Sequence, residues 1–246
     1  MGLTVLGAVP ARMQSRRFPG KVLKEVAGKP LVIHAFERLS GASLVREAFV
    51  ATDSPEVERA ASDHGAPVIR VDEPCASGSD RVARALRGLT FDAAVNLQAD
   101  QPLVDPRDID RLVKELAGDE SLDLATLAYL DEDEEAFASR DTVKTVIGDD
   151  GQALYFSRAP IPSSKDDSGN ALFLHHVGIY CFRRAALERF AALPMGPLET
   201  RESLEQLRAL EAGMRIGVLL ADSPVPDVDR PSDIAVVERA LDEGRR

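Results

Sequence analysis

The chain has 246 residues, of which 44% are hydrophobic, and this content is sufficient for the core of one α/β domain. Its net charge of -11 argues against a protein that binds long DNA or RNA, because such proteins usually present a basic surface. No apolar run has the length of a membrane span, the first residues lack the basic start of a signal peptide, and the two cysteines are far apart, so we expect a cytoplasmic protein with reduced thiols.

Strands and helices alternate through the first half of the chain. Short apolar runs predict strands at 3–9, 47–54, 66–71 and 123–130, and the segment 91–102 predicts a strand that runs into a polar loop. Apolar residues at helical spacing predict helices at 30–41, 54–65, 105–118 and 77–89, the last starting near Ser79 or Asp80. This alternation predicts a mostly parallel sheet with helices on both faces.

The pattern changes after about residue 130. Two strand-like segments flank the turn sequence DDG, which predicts a hairpin within 142–158. The polar, Gly- and Ser-rich segment 163–170 predicts a mobile loop. A strand is predicted at 173–182, a helix at 201–213, a strand at 215–221 and a closing helix at 231–244.

Three polar clusters follow predicted strands, at 10–21, 96–102 and 226–233. Open parallel sheets bind their ligands beyond the carboxyl ends of the strands. We therefore expect these clusters, although distant in sequence, to converge on one site.

The first cluster concentrates positive charge in an otherwise acidic chain. Arg12, Arg16, Arg17 and Lys21 lie in one short loop after the first strand. Guanidinium groups bind phosphate oxygens in pairs, and a lysine adds a point charge, so the loop favours phosphate binding over a solvated surface loop. Neither GxxxxGK[ST] nor GxGxxG is present, which argues against a Walker P-loop and a nicotinamide enzyme.

The other two clusters supply carboxylates. Asp100 ends the predicted fourth strand, and Asp227 and Asp229 would point the same way on an extended segment. One or two carboxylates together with phosphate oxygens are typical of a Mg²⁺ site, although each aspartate could instead cap a turn or helix. We expect one of His175 and His176 to face a cleft and the other to face away. The combination predicts metal-assisted transfer on a nucleotide.

Eight ordered segments resemble the CMP-Kdo synthetase (3-deoxy-manno-octulosonate cytidylyltransferase) family. They are PARMQSRRFPGKVL, ATDSPEV, SGSDRV, NLQADQP, ALYFSRAPIP, HHVGIYCFR, LEQLR and VDRPSDI, and they run from about residue 3 to 240. The resemblance implies one Rossmann-like nucleotidyltransferase domain over 1–246. It has a mostly parallel sheet, flanking helices and a small β-rich dimerisation and acceptor-side region at about 135–190. It also implies a homodimer.

The resemblance further implies a reaction in which a hydroxyl of an acid attacks CTP and pyrophosphate leaves, with Mg²⁺ required. Carried over by position, the residues expected to hold CTP are Arg12, Arg17, Lys21, Ser77 and Arg81. The metal ligands are expected to be Asp100 and Asp229, which with Lys21 form the catalytic set. The acceptor pocket is expected to contain Gln98, Arg158, His176, Tyr180, Glu205 and Gln206.

The chain departs from the family pattern towards the acceptor side. Gln101 stands where the family sequence QGDEP has glutamate, Ala99 stands for its glycine, and Arg230 stands where VDTP has threonine. These changes remove a negative charge and add a positive one. They leave two acceptors open, Kdo itself or a small phosphonate such as phosphonoformate, with Arg230 and Gln101 as acceptor-binding residues in the second case.

Two other classes of protein share parts of this pattern. A catalytically inactive nucleotide-binding paralogue would keep the fold. Asp100, Asp229 and the cationic loop are all retained, which argues against such a loss of activity. A sugar-1-phosphate nucleotidyltransferase would usually carry a Gly-rich first loop, which the segment 10–21 is not.

Overall fold

A computed structural model describes residues 2–14, 18–165 and 172–243. The strands are β1 (Val5–Ala11), β2 (Glu25–Val26), β3 (Lys29–Pro30), β4 (Glu47–Thr52), β5 (Val68–Arg70), β6 (Ala93–Leu97), β7 (Leu124–Asp131), β8 (Lys144–Ile147), β9 (Ala153–Ser157), β10 (Phe173–Arg183) and β11 (Ile216–Leu220). The helices are α1 (Leu31–Ser40), α2 (Pro55–Asp63), α3 (Gly78–Ala85), α4 (Pro106–Gly118), α5 (Glu134–Ala138), α6 (Arg184–Ala192), α7 (Pro197–Glu202), α8 (Gln206–Glu211) and α9 (Ile234–Glu243). None of the helices in these ranges combines the length and the hydropathy that a membrane span requires.

One large sheet organises the chain, and most of its strands are parallel. Its order is β11-β7-β10-β6-β1-β4-β5, and the hairpin β8–β9 is attached through β8 to β10. The pairs β1–β4, β1–β6, β4–β5 and β7–β11 are parallel, whereas β10 runs antiparallel to both β6 and β7. The predicted mostly parallel sheet and the hairpin are therefore confirmed.

The two faces of the sheet bury separate apolar clusters because successive strand residues point to opposite sides. In β1, Val5 and Val9 belong to one cluster, and Leu6 and Ala8 belong to the other. Helices α1, α2 and α4 contribute to the first cluster, and α3, α6 and α8 contribute to the second. Burial on both faces explains why the central strands read as continuous apolar runs.

Two helix predictions need correction. The helix predicted to start near Ser79 or Asp80 begins at Gly78, because Ser77 is its N-cap and accepts a hydrogen bond from the backbone N–H of Asp80. The single helix predicted at 201–213 is broken, because Ser203 adopts a left-handed conformation with φ of 54° and separates α7 from α8. The break leaves Glu205 and Gln206 at the start of α8, facing the carboxyl edge of the sheet.

Candidate active site

The strand directions bring the polar clusters to one edge of the sheet. β1 and β6 are parallel, so Arg12 and Gln98 follow them at the same edge. β10 is antiparallel to β6, and the pairing of Tyr180 with Asn96 puts its first half at this edge too. A cavity of about 1080 Å³ opens here and is lined by residues of all three predicted clusters.

The turn after β6 is held from both sides. The backbone N–H of Gln98 donates to the carbonyl of Gly178 on β10 at 3.0 Å. The backbone N–H of Val228 donates to the carbonyl of Asp100, also at 3.0 Å. Val228 is fully buried, so the extended segment around it turns both Asp227 and Asp229 towards the cavity. Asp100 and Asp229 are thereby fixed beside each other.

Lys21 connects these two carboxylates. Its Nζ lies 2.6 Å from Oδ2 of Asp100 and 3.1 Å from Oδ1 of Asp229, and it also donates to the carbonyl of Val228 at 3.1 Å. Gly20 makes the approach possible, because its φ of 71° is a left-handed conformation that suits glycine and starts the turn carrying Lys21. Burial opposes the lysine charge, but both carboxylates stabilise it and the pKa of Lys21 is raised.

The donor set fits a hard cation. Asp100 and Asp229 converge on one positive group, and burial together with these two carboxylates raises the pKa of Asp227 to about 8. Among the described residues no group of three or more His, Cys, Asp or Glu side chains forms a metal-binding cluster. Two carboxylates with the remaining oxygen ligands taken from phosphate and water is the arrangement that Mg²⁺ usually adopts.

The start of α3 forms another wall of the cavity. Ser77 and Asp80 close a reciprocal capping box, and the backbone N–H of Ser79 donates to Glu205 at 3.0 Å. Gln98 donates to the same carboxylate at 3.2 Å. Burial raises the pKa of Glu205, whereas the hydrogen bonds from Ser79 oppose that effect. Glu205 thus ties α3 to the strand end that carries Asp100.

A buried ionic network lies behind this wall. The guanidinium of Arg208 makes paired contacts with Glu199 at 2.7 Å and with Asp80 at 2.9 and 3.2 Å. It also stacks over the ring of Phe190 at 4.4 Å. Arg208, Asp80 and Glu199 are all buried, so each charge depends on its partners. The network joins α3, α7 and α8, which all border the cavity.

The opposite wall carries the residues predicted to face the acceptor. The hydroxyl of Tyr180 donates to Oε1 of Gln206 at 3.1 Å, in a buried position. The guanidinium of Arg158 donates to the carbonyls of Glu202 at 2.9 Å and of Asp141 at 3.1 Å. Both His175 and His176 border the cavity, and they lie on opposite faces of the sheet as expected. His175 packs on Tyr129, on the side of the first apolar cluster, whereas His176 packs on Phe156, on the side of the second.

His176 is held as a neutral ring. Thr126 donates its hydroxyl proton to the carbonyl of Ile179 at 2.7 Å, so at 3.0 Å its oxygen accepts from Nε2 of His176. The ring of Phe156 packs edge-on at 5.0 Å. Burial lowers the pKa of His176 from its ordinary 6.5 to about 3.

This lowered pKa predicts a loss of stability in acid. The unfolded chain binds a proton at His176 below about pH 6.5 and the folded chain does not, so the contribution of this group is complete above pH 6.5 and declines as the pH falls. Between pH 7.5 and 5.0 the loss is about 2 kcal/mol. Urea unfolding at pH 7.5 and pH 5.0 gives the free energy of unfolding at each pH. Its change between the two should be smaller by that amount in His176→Phe than in the wild type. An equal change in the two proteins would contradict a lowered pKa at His176.

Most predicted site residues border this single cavity. They are Arg12, Lys21, Ser77, Arg81, Gln98, Asp100, Arg158, His176, Tyr180, Glu205, Gln206 and Asp229. Arg17 lies outside the described residues, as does most of the predicted loop at 163–170. Arg230 is not among the residues that line the cavity. Its exposed guanidinium pairs with Asp141, which does line the cavity.

Other polar residues border the cavity without having been predicted from the sequence. They include Cys75, Asp141, Glu199 and Thr200. Glu199 had a weak signal, because it directly precedes Thr200 in a segment where the resembled family has LEH. Asp141 had none, since it lies in an irregular segment between α5 and β8.

Comparison with known proteins shows the family and the fold. The family model "Cytidylyltransferase" matches residues 6–216. The chain is 45% identical over 243 residues to 3-deoxy-manno-octulosonate cytidylyltransferase of Rhodopseudomonas palustris (strain BisB5), covering 95% of this chain and 96% of the relative. It is 42% identical over 247 residues to 8-amino-3,8-dideoxy-manno-octulosonate cytidylyltransferase of Shewanella pealeana, covering 98% and 99%. The solved structure of CMP:2-keto-3-deoxy-manno-octonic acid synthetase complexed with CTP superimposes with a TM-score of 0.89 at 37% identity, covering 98% and 99%.

Proposed function

The chain belongs to the cytidylyltransferase family, and on this premise we propose that it transfers CMP from CTP to a Kdo-type sugar acid and releases pyrophosphate. The observation that carries the proposal is the position of Lys21 between Asp100 and Asp229 in a cavity at the carboxyl edge of the sheet. A cation and two carboxylates at such an edge suit a site for a metal-bound triphosphate.

The residues on the β1 side suit the nucleotide. Arg12 follows β1 and Lys21 lies in the same loop, so their charges can neutralise phosphate oxygens as negative charge builds up on the leaving pyrophosphate. The guanidinium of Arg81 donates to Asp53 at 3.0 Å and to the carbonyl of Val71 at 3.2 Å. These contacts fix its orientation in the wall of the cavity that α3 forms. These groups would bind and orient the nucleotide, and none of them would form a covalent intermediate.

The carboxylates suit Mg²⁺. Asp100 and Asp229 would hold the ion, and Lys21 would then exchange its contact with them for contact with phosphate. When bound, the ion neutralises phosphate charge and polarises the phosphorus towards attack. Asp100 and Asp229 would otherwise repel a triphosphate, so their charges need such a partner.

The residues on the β10 side suit a polyhydroxylated acid. Arg158 can pair with its carboxylate, whereas Tyr180, Gln206 and His176 offer neutral polar groups for hydroxyls. The phosphonate alternative was based on Arg230 and Gln101, and of these Arg230 lies outside the cavity lining and is paired with Asp141. The relatives named above act on octulosonic acids, which favours the same class of acceptor.

The proposal includes a cytoplasmic homodimer. The region at about 135–190 carries exposed apolar side chains, including Leu154 and Leu172, as an interface between copies would. Sedimentation equilibrium measures the mass directly, and a monomer at micromolar concentration would exclude the dimer.

The decisive experiment is pyrophosphate release from CTP with Mg²⁺ and one acid at a time. We expect release with Kdo or its 8-amino analogue and none with phosphonoformate. Replacing CTP by UTP, ATP or GTP should abolish the signal. Release only with the phosphonate would assign the protein to that acceptor class, and CTP binding without any release would indicate an inactive paralogue.

A further inference from the structure

Gln101 stands at the edge of the cavity, where the family pattern has glutamate. It directly follows Asp100 in the turn after β6, and its backbone N–H donates to the carbonyl of Gln98 at 3.0 Å. The residue borders the cavity, yet only 4% of its surface is exposed. Its side chain is therefore held against the wall of the site next to a predicted metal ligand.

Close packing against β10 holds this side chain in place. Gly178 lies beneath it, and a Cβ on Gly178 would come within 3.4 Å of Nε2 of Gln101 and of Cγ of Gln98. These are ordinary contact distances, so both glutamine side chains lie directly against the strand at 178. In the sheet order β10-β6-β1, this contact places Gln101 on the β10 side of Asp100, away from the cationic loop after β1.

The two glutamines that flank Asp100 differ in their hydrogen bonding. The amide of Gln98 donates to Glu205 at 3.2 Å. Oε1 of Gln101 is buried and has no hydrogen-bond partner in the described part of the chain. Buried polar atoms are nearly always paired in folded proteins, so this oxygen is expected to have a partner beyond those that the described residues supply. Turning this amide towards a ligand would break no hydrogen bond of its oxygen.

We propose that Gln101 is a specificity-determining residue whose amide oxygen accepts a hydrogen bond from a hydroxyl of the acceptor acid. The inference rests on the proposed function and specifies its acceptor as a polyhydroxylated acid. An amide oxygen needs a donor, and neither the carboxylate of the acid nor the ionised triphosphate carries one. The position on the β10 side selects the acceptor hydroxyls over the nucleotide.

The chemistry of this contact predicts how two variants differ. A carboxylate accepts hydrogen bonds as an amide oxygen does, so Gln101→Glu retains the contact, and the family pattern has glutamate at this place. Gln101→Met keeps the length of the side chain and removes the acceptor. We expect Gln101→Met to raise KM for Kdo about tenfold or more, and Gln101→Glu to stay within about threefold of the wild type.

The test measures pyrophosphate release at varied Kdo and varied CTP for the wild type, both variants and Gln152→Met. Gln152 lies in the turn before β9, outside the cavity lining, and provides the same chemical change as a control. CTP affinity is measured separately by calorimetry without acceptor. The proposal expects the effect of Gln101→Met in KM for Kdo alone, with an unchanged Kd for CTP.

Three results would overturn the proposal. An unchanged KM for Kdo in Gln101→Met would show that the amide does not contact the acid. A weaker Kd for CTP would assign the contact to the nucleotide. An equal rise in KM for Kdo in Gln101→Glu and Gln101→Met would indicate that Gln101 acts through packing and not through a hydrogen bond. If Gln101→Met does not fold, Gln101→Ala provides the same comparison. Failure of the wild type with every sugar acid is a separate result, which would reject the proposed function itself.

Discussion

Asp100→Asn is expected to lower kcat/KM for CMP transfer at least about a thousandfold, or about 4 kcal/mol of transition-state stabilisation. The substitution keeps the size of the side chain and removes one of the two carboxylates that converge on Lys21. A single remaining carboxylate, Asp229, would hold Mg²⁺ more weakly and in a less defined position. Steady-state pyrophosphate release at varied CTP, with the sugar acid held at saturation, measures the loss in kcat/KM.

The variant needs two comparisons. Asp229→Asn should lose activity to a similar degree, and Asp222→Asn, on an almost fully exposed side chain, should retain it. Raising the Mg²⁺ concentration should recover part of the activity of Asp100→Asn. Full activity of Asp100→Asn at saturating Mg²⁺ would contradict its assignment as a metal ligand.

Arg208→Met is expected to have the largest effect on stability, about 3–5 kcal/mol. Methionine fills much of the space of arginine but leaves Asp80 and Glu199 buried without their shared counter-charge. The stacking of the guanidinium over Phe190 is lost as well. For a chain of this size the melting temperature should fall by roughly 10 °C. Urea and thermal unfolding followed by circular dichroism measure both quantities.

An exposed arginine provides the matched control. Arg107 pairs with Asp105 at 2.7 Å, but its side chain is 88% exposed. Arg107→Met should therefore leave the free energy of unfolding close to that of the wild type. If the two variants were equally stable, the buried network would contribute no more than a surface ion pair.

The sequence was sufficient to predict the framework of the sheet. The apolar part of the segment 91–102 forms β6, Ala93–Leu97, because both faces of a central parallel strand are buried. Capping residues gave helix starts: Ser54 accepts from the backbone N–H of Val57, as its place before Pro55 predicts. The break at Ser203 could not be read in the same way, since neighbouring residues have ordinary helical propensity and only tertiary contacts select the left-handed conformation.

The candidate site was predicted unevenly, for a related reason. Asp100 and Lys21 follow strands whose ends meet by the rules of parallel sheets, so their convergence follows from topology. The partners of Arg208 and Arg230 depend on how helices and loops pack across the sheet, and charge alone does not specify them. In the structure Arg208 lies in a buried ion pair with Asp80, whereas Arg230 pairs with Asp141 at the surface. The role proposed for Gln101 also depends on packing, because only the fold shows that its Oε1 is buried without a partner among the described residues.

The position of β10 in the sheet orders events during synthesis of the chain. Strands β1, β4, β5 and β6 come from the first part of the sequence and pair among themselves, so this half can assemble on the ribosome. The other edge of β6 stays open for several seconds, at roughly 5–20 residues per second, until Phe173–Arg183 emerges and inserts beside it. Open strand edges recruit other chains. Any premature stop before β10 would therefore release a half-sheet prone to aggregate, and nascent chains of that length would depend on chaperones for solubility.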